Sequence, residues 1–254
     1  MRLANDLMPR NEAIFNTLPV SGSGVPDLRG MVPSICAGCP HAACYYALRV
    51  AEKRLGGIEV EVYGDLACPN KEGRECLSQN TGYGVQSGRI APLVAVIGGP
   101  SFLRTKEAVR LASDVRKRGG AVIVIDNEIT GVMRRSKEIA LALGVREVHA
   151  VSPYDLDGMV DAILSAFGPG PSVVLSRQPC HVLEARNGRV TKFASTRRFQ
   201  VDESCTGCRH CVTQLGCPAL ETFGDVVRVD YSACVGCGVC ASVCPNGSIR
   251  EAEP

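Results

Sequence analysis

Residues 205–245 carry eight cysteines, spaced C-x2-C-x2-C-x5-C-P and then C-x2-C-x2-C-x3-C-P. Thiolate is a soft metal ligand, and a doubled triplet with a distant fourth Cys-Pro is the spacing that two cubane 4Fe-4S clusters require. In such a pair three cysteines of each run hold one cluster and the fourth crosses to the other. Cluster 1 would use Cys205, Cys208, Cys211 and Cys244; cluster 2 would use Cys234, Cys237, Cys240 and Cys217. Pro218 and Pro245 follow the crossing cysteines, where a fixed φ and a missing N–H stop the local helix. Gly207, Gly236 and Gly238 free the backbone to turn its amides toward sulfur. A disulfide framework and paired zinc sites are the competing uses of so much cysteine. Zinc ribbons pair C-x2-C motifs but do not double a triplet in this way. The chemistry expected is one-electron transfer.

Six of the 14 cysteines lie outside this region: Cys36, Cys39, Cys44, Cys68, Cys76 and Cys180. Cys36 and Cys39 form a further C-x2-C just before a predicted helix, while Cys68 and Cys180 follow predicted strands. In an open parallel sheet the loops after strand ends gather on one edge. Four thiols from three such loops could close a third tetrahedral set. Equally, Cys68 and Cys180 could be small buried residues, as free cysteine often is.

The elements that position these groups alternate in type. Residues 1–30 contain Pro9, Pro19, Pro26 and the run SGSG, and read as an extended N-terminal arm lying on a partner. From 33 to 176 strands and helices alternate, which predicts a parallel sheet covered by helices. A helix over 41–54 stops at Gly56-Gly57, followed by strand IEVEVYG (58–64), a glycine-rich loop over 82–88 and strand PLVAVIG (92–98). A helix with apolar Ala108, Val109, Leu111, Ala112 and Val115 at helical spacing closes at Gly119-Gly120. Strands AVIVID (121–126), REVHAV (146–151) and PSVVLS (171–176), with a helix over 154–167, complete it. The all-apolar strands imply burial on both faces.

The fold class expected is α/β: a parallel-sheet body over 31–190, a linker over 191–203, and a small α+β bacterial-type two-cluster ferredoxin domain over 204–254. No run is long and apolar enough to span a bilayer, and the first residues lack a secretory apolar segment. Fourteen cysteines without a leader point to metal or redox use in a reducing cytoplasm. The formal net charge of +2 becomes acidic once clusters are bound, so no nucleic-acid footprint is expected.

The passages CAGCPH (36–41), GDLAC (64–68), AVIGGPSF (95–102), VIVIDNEIT (122–130) and SRQPC (176–180), with the double cysteine run after them, resemble the C-terminal half of the large subunit of indolepyruvate:ferredoxin oxidoreductase. That family belongs to the thiamine diphosphate dependent 2-oxoacid:ferredoxin oxidoreductases. The resemblance implies a thiamine-diphosphate-binding-like domain with a proximal 4Fe-4S cluster on Cys36, Cys39, Cys68 and Cys180, leaving Cys44 and Cys76 free. It implies oxidative decarboxylation of an aryl 2-oxoacid, with electrons passing to ferredoxin and the acyl group to CoA. Other subunits would supply the pyrimidine-binding and acceptor domains, so this chain would not be active alone.

The pattern departs at the diphosphate. The family's aspartate ligand to Mg²⁺ falls at Gly99, in Gly98-Gly99-Pro100-Ser101, whereas Asp126-Asn127 is kept. Asn127, Asp126 and Asp65 are the residues left to hold thiamine diphosphate and Mg²⁺. The expected Thr-Gly step reads Met133-Arg134-Arg135 instead; these arginines either grip phosphate oxygens or form a solvated helix start. The segment between Cys68 and Gly82 is also shorter than the family's loop. His41 reads either as a catalytic residue beside the diphosphate or substrate, or as part of a helix cap. His149, His181 and His210 read as structural. Two functions follow: an oxidoreductase subunit, or a degenerate thiamine domain kept as an electron-transfer or scaffold subunit. A third use, anion binding by the loop at 82–88, lacks an established phosphate-loop spacing.

Overall fold

Residues 93–98, 120–125 and 172–176 are almost wholly apolar and rich in valine and isoleucine, so each must be a strand shielded on both faces. The computed structural model describes residues 36–56, 60–65, 92–103, 105–127, 133–168, 170–186 and 197–252. They group into two units, one holding 47–180 and the other 36–46 together with 181–252. The boundary falls inside the first described helix, α1 (Pro40–Arg54).

The larger unit is built on a five-stranded sheet of β1 (Glu61–Asp65), β2 (Leu93–Gly98), β3 (Gly120–Asp126), β4 (Glu147–Val151) and β5 (Ser172–Arg177). The spatial order is β1-β2-β3-β5-β4, and every pairing is parallel, with Val96 opposite Ile123 and Ile125 opposite Ser176. β2 and β3 are buried along their whole length. The strand with alternating polar residues, β4, takes one edge and, among the described residues, pairs with β5 alone.

Side chains alternate across the sheet, as the strand period of two demands. Leu93, Ala95, Ile97, Val122, Val124, Val173 and Leu175 share a core with Ala108, Leu111 and Val115 of α3 (Thr105–Arg118) and Ala140 of α4 (Met133–Ala142). Phe102, at the end of the short α2 (Gly99–Phe102), closes that core. α5 (Leu156–Ala166) buries Leu156, Met159, Val160 and Ile163 against β4 and β5, and Asp155 caps it by accepting from the Gly158 amide at 3.0 Å. Fully burying each such side chain contributes about 1.5–3 kcal/mol. Gly120 has φ +116, and a Cβ there would strike the Leu93 carbonyl, so the turn out of α3 needs glycine.

In the smaller unit, β6 (Phe199–Val201) pairs antiparallel with β9 (Ile249–Glu251), and β7 (Leu220–Phe223) with β8 (Val226–Val229). α7 (His210–Thr213) and α8 (Val239–Val243) each carry the third cysteine of a triplet, Cys211 and Cys240, and α6 (His181–Arg186) belongs to the same unit. The stretch expected as linker, 191–203, therefore includes a strand: Phe199 is buried, and Arg197 donates two bonds to the Glu251 carboxylate at 3.0 and 2.9 Å. A three-residue strand is too short to announce itself by alternation. The two halves also begin alike. Asp202 accepts from the Ser204 hydroxyl and amide and Asp230 from the Ser232 hydroxyl and amide, the amides at 2.9 and 2.8 Å, and the hydroxyl bonds first, then the amides, lower both carboxyl pKa values. The arm expected over 1–30 and the loop at 82–88 lie outside the described residues.

Candidate functional site

Tight turns around each triplet bring the cysteines into two sets. The near electrostatic neighbours of Cys211 are Cys244, Cys208 and Cys205. Those of Cys240 are Cys237, Cys217 and Cys234, with Cys211 beyond them. Burial pushes the Cys211 and Cys237 thiols up to about 12, and raises Cys240 well above the ordinary thiol value and Cys217 above it. Thiols held that high stay protonated at neutral pH unless a metal centre displaces the proton. Among the described residues no three His, Cys, Asp or Glu side chains converge on one ion position.

A small, partly open cavity is lined by Cys217, Cys234, Cys237 and Cys240 and, from the other end of the chain, by Cys36 and Cys39. Backbone amides point at its sulfurs: Gly236 donates to Cys234 at 3.5 Å, Val239 to Cys237, and both Ala219 and Gly38 to Cys217. Gly207, Gly236 and Gly238 have φ of +68, +69 and +80, the left-handed backbone that turns amides inward. Across the two sets, Cys208 is exposed, whereas Cys211, Cys240 and Cys244 are buried.

The loop before α1 is itself a tight turn, with the Cys39 amide donating to the Cys36 carbonyl at 3.1 Å and Gly38 at φ +65. His41 is buried and its Nδ1 lies 3.7 Å from Cys39 Sγ. His181 is buried over Gly38, and burial lowers its pKa against the opposing pull of Glu184. His210 is buried and bonded through Nε2 to the Tyr46 hydroxyl. Half-buried His149 pairs with Glu147 at 3.3 Å.

The carboxyl edge of the parallel sheet forms a second constellation. Asp126 ends β3 with its carboxylate 1 % exposed, and Arg177 Nε at the end of β5 lies 3.7 Å away. The Gln178 amide donates to the Asp126 carbonyl at 3.2 Å, and the Cys180 amide to the Asn127 carbonyl at 3.3 Å. Cys180 and Asn127 are thus neighbours, at the point where strand order reverses between β3, β5 and β4. Asp65 ends β1, at the same ends of the strands. Gly99 opens α2, and Arg135 lies in the first turn of α4.

This edge fits Mg²⁺-diphosphate poorly. Mg²⁺ demands close octahedral oxygens, yet Gly99 offers no side chain and the Asp126 carboxylate already faces a guanidinium. Cys68 and Cys76 lie outside the described residues. The Gly38 and Ala219 amides on Cys217, the Tyr46 bond to His210 and the paired Asp-Ser turns were missed by sequence reasoning. Only the turns carry a readable signal, an Asp two residues before a Ser ahead of each triplet.

Comparison with known proteins agrees with this arrangement. Residues 227–250 match the family of 4Fe-4S binding domains. The chain is 31 % identical over 252 residues to the indolepyruvate oxidoreductase subunit IorA of Archaeoglobus fulgidus, covering 87 % of this chain and 40 % of that protein. To the IorA of Methanothermobacter thermautotrophicus it is 29 % identical, covering 89 % and 41 %. It is also 33 % identical over 72 residues to the pyruvate synthase subunit PorD of Methanothermobacter marburgensis, covering 27 % of this chain and 85 % of that one. No solved structure matches. The chain is a relative of the IorA subunits, of whose length it spans about two fifths, and it carries a 4Fe-4S binding domain.

Proposed function

We propose that this chain is the iron–sulfur subunit of a 2-oxoacid:ferredoxin oxidoreductase of the indolepyruvate or arylpyruvate type. The observation that carries the reading is the pair of four-thiol sets, Cys205, Cys208, Cys211 and Cys244 beside Cys234, Cys237, Cys240 and Cys217. Two 4Fe-4S clusters held there supply one-electron transfer. The chain's own part is to hold eight thiolates, to exclude water by burying Cys211, Cys240 and Cys244, and to aim amides at sulfur. Cys36, Cys39, Cys68 and Cys180 are proposed to hold a third cluster. Its support is the half-buried Cys36–Cys39 turn facing the second set's cavity, and Cys180 at the sheet's carboxyl edge.

Partner subunits then carry the pyrimidine-binding half and the acceptor side, and a ferredoxin in a reducing cytoplasm takes the electrons. A second reading is favoured by Gly99 and by the Asp126 pair with Arg177: a retired thiamine domain that serves as conduit or scaffold, with the carbon chemistry performed elsewhere in the complex. Thiamine and iron assayed together, on the complex purified anaerobically with its natural partners, decide between them. About twelve irons per chain without thiamine supports the conduit, and stoichiometric thiamine restores a catalytic role to the sheet edge. Iron near zero in anaerobically reconstituted protein overturns both.

A further inference from the structure

Cys217 is the ligand that crosses from the first cysteine run to the second set. Its sulfur receives two amides, one local and one distant. The local donor, Ala219, belongs to the ferredoxin-like sequence. The distant donor, Gly38, lies between Cys36 and Cys39, more than 170 positions upstream. Within the unit that holds both, this amide is held in place from three sides. Gly38 sits at φ +65 in a turn closed by the Cys39 amide on the Cys36 carbonyl. A Cβ at Gly38 would strike Val235, inside the C-x2-C of the second set, and would meet the His181 ring at 3.1 Å. Glycine holds its N–H toward Cys217 here without the backbone strain and crowding that a side chain would bring.

An N–H pointing at a cluster sulfur stabilises the reduced, more negative state and raises the reduction potential. We infer that Gly38 is a potential-setting residue of the second cluster, and that the Cys36–Cys39 turn thereby makes that cluster easier to reduce than its own ferredoxin-like sequence would. The inference rests on the proposed two-cluster reading. It makes the turn part of the second cluster's surroundings even where it ligates nothing there.

The test is an EPR-monitored redox titration of the intact, anaerobically reconstituted chain. Cys234→Ser identifies which signal belongs to the second cluster. Gly38→Ala alone could fail by collision with Val235, so it is also made in a Val235→Ala background, where the collision is removed. Against Val235→Ala, the double variant is expected to shift the second cluster's reduction equilibrium about tenfold toward the oxidised form, which is ~59 mV for one electron. The first cluster is expected to keep its midpoint, and iron per chain to stay constant. An unmoved second midpoint overturns the inference. So does an equal shift of both clusters, which signals general loosening, or loss of iron from the double variant, which makes the turn a structural closure. Absence of any 4Fe-4S signal from the unmodified chain would instead sink the underlying two-cluster reading.

Discussion

The Tyr46 hydroxyl lies 3.1 Å from His210 Nε2, both groups buried, with the rings edge to face at a centroid distance of 6.0 Å. His210 stands between Cys208 and Cys211, so this bond ties α1 to the loop that presents the first cysteine triplet. Tyr46→Phe keeps the ring and deletes the bond. Stranding a buried polar nitrogen costs about 1–3 kcal/mol. The expected outcome is a lower thermal midpoint and faster iron loss on dilution, read by absorbance under anaerobic conditions. A midpoint equal to that of the unmodified chain would show the bond to be dispensable.

Glycines in the same unit separate strain from collision. Gly207, at φ +68 between Cys205 and Cys208, would drive a Cβ into the Asp225 carbonyl, whereas Gly224, at φ +56, has open space around it. Gly224→Ala therefore meets only the left-handed backbone penalty, about 1–2 kcal/mol, and should keep its iron. Gly207→Ala must also displace backbone at the first cluster's loop. It should lose about four irons per chain, the content of one cluster.

How far the chain could be read in advance follows from what each feature asks of the sequence. β2, β3 and β5 were legible because all-apolar strands have one stable environment, and the two cysteine runs because cluster ligation fixes ligand spacing. β6 was not, since Phe199-Gln200-Val201 shows barely one alternation and is recognised only through its partner strand, where Val201 faces Ile249. The Gly38 donor to Cys217 was illegible for a deeper reason: every residue but proline carries an amide, and only the fold decides which sulfur it meets. Asp126 was picked out as a cofactor ligand from the family resemblance, as half of the Asp-Asn pair. Its pairing with Arg177 depends on β3 and β5 being neighbours, which strand order alone provides.

That pairing makes an asymmetric prediction. Asp126 is almost fully buried whereas Arg177 is about a third exposed, so removing the arginine takes a counter-charge from a buried carboxylate, while removing the aspartate leaves a guanidinium that water can reach. Arg177→Met should destabilise by up to about 3 kcal/mol, the low end of the cost of breaking a buried pair, because the pair is long and open to water on the arginine side. Asp126→Asn should cost less, and adding it to Arg177→Met should recover part of the loss. Urea unfolding of the four chains completes the cycle, and additive costs would show that the two residues do not interact.

Glu52 supplies a pH dependence independent of the clusters. It is buried on α1, its Oε1 has no hydrogen-bond partner among the described residues, and burial raises its pKa to about 7 against the opposing pull of Arg49. In the unfolded chain the carboxyl titrates near its ordinary value of 4.5. Between those values the unfolded state releases the proton and the folded state keeps it. The contribution of Glu52 is therefore fully present below about pH 4.5 and fades as pH rises through 7. Above that, the folded chain bears the cost of a buried carboxylate, about 1.4 kcal/mol for every tenfold gain in proton affinity on folding. Glu52→Gln should be more stable than the unmodified chain at pH 8, and the advantage should shrink as pH falls toward 5. Thermal midpoints of both chains across that range, in one buffer series at constant ionic strength, measure it. Parallel curves would show that Glu52 ionises freely in the folded protein.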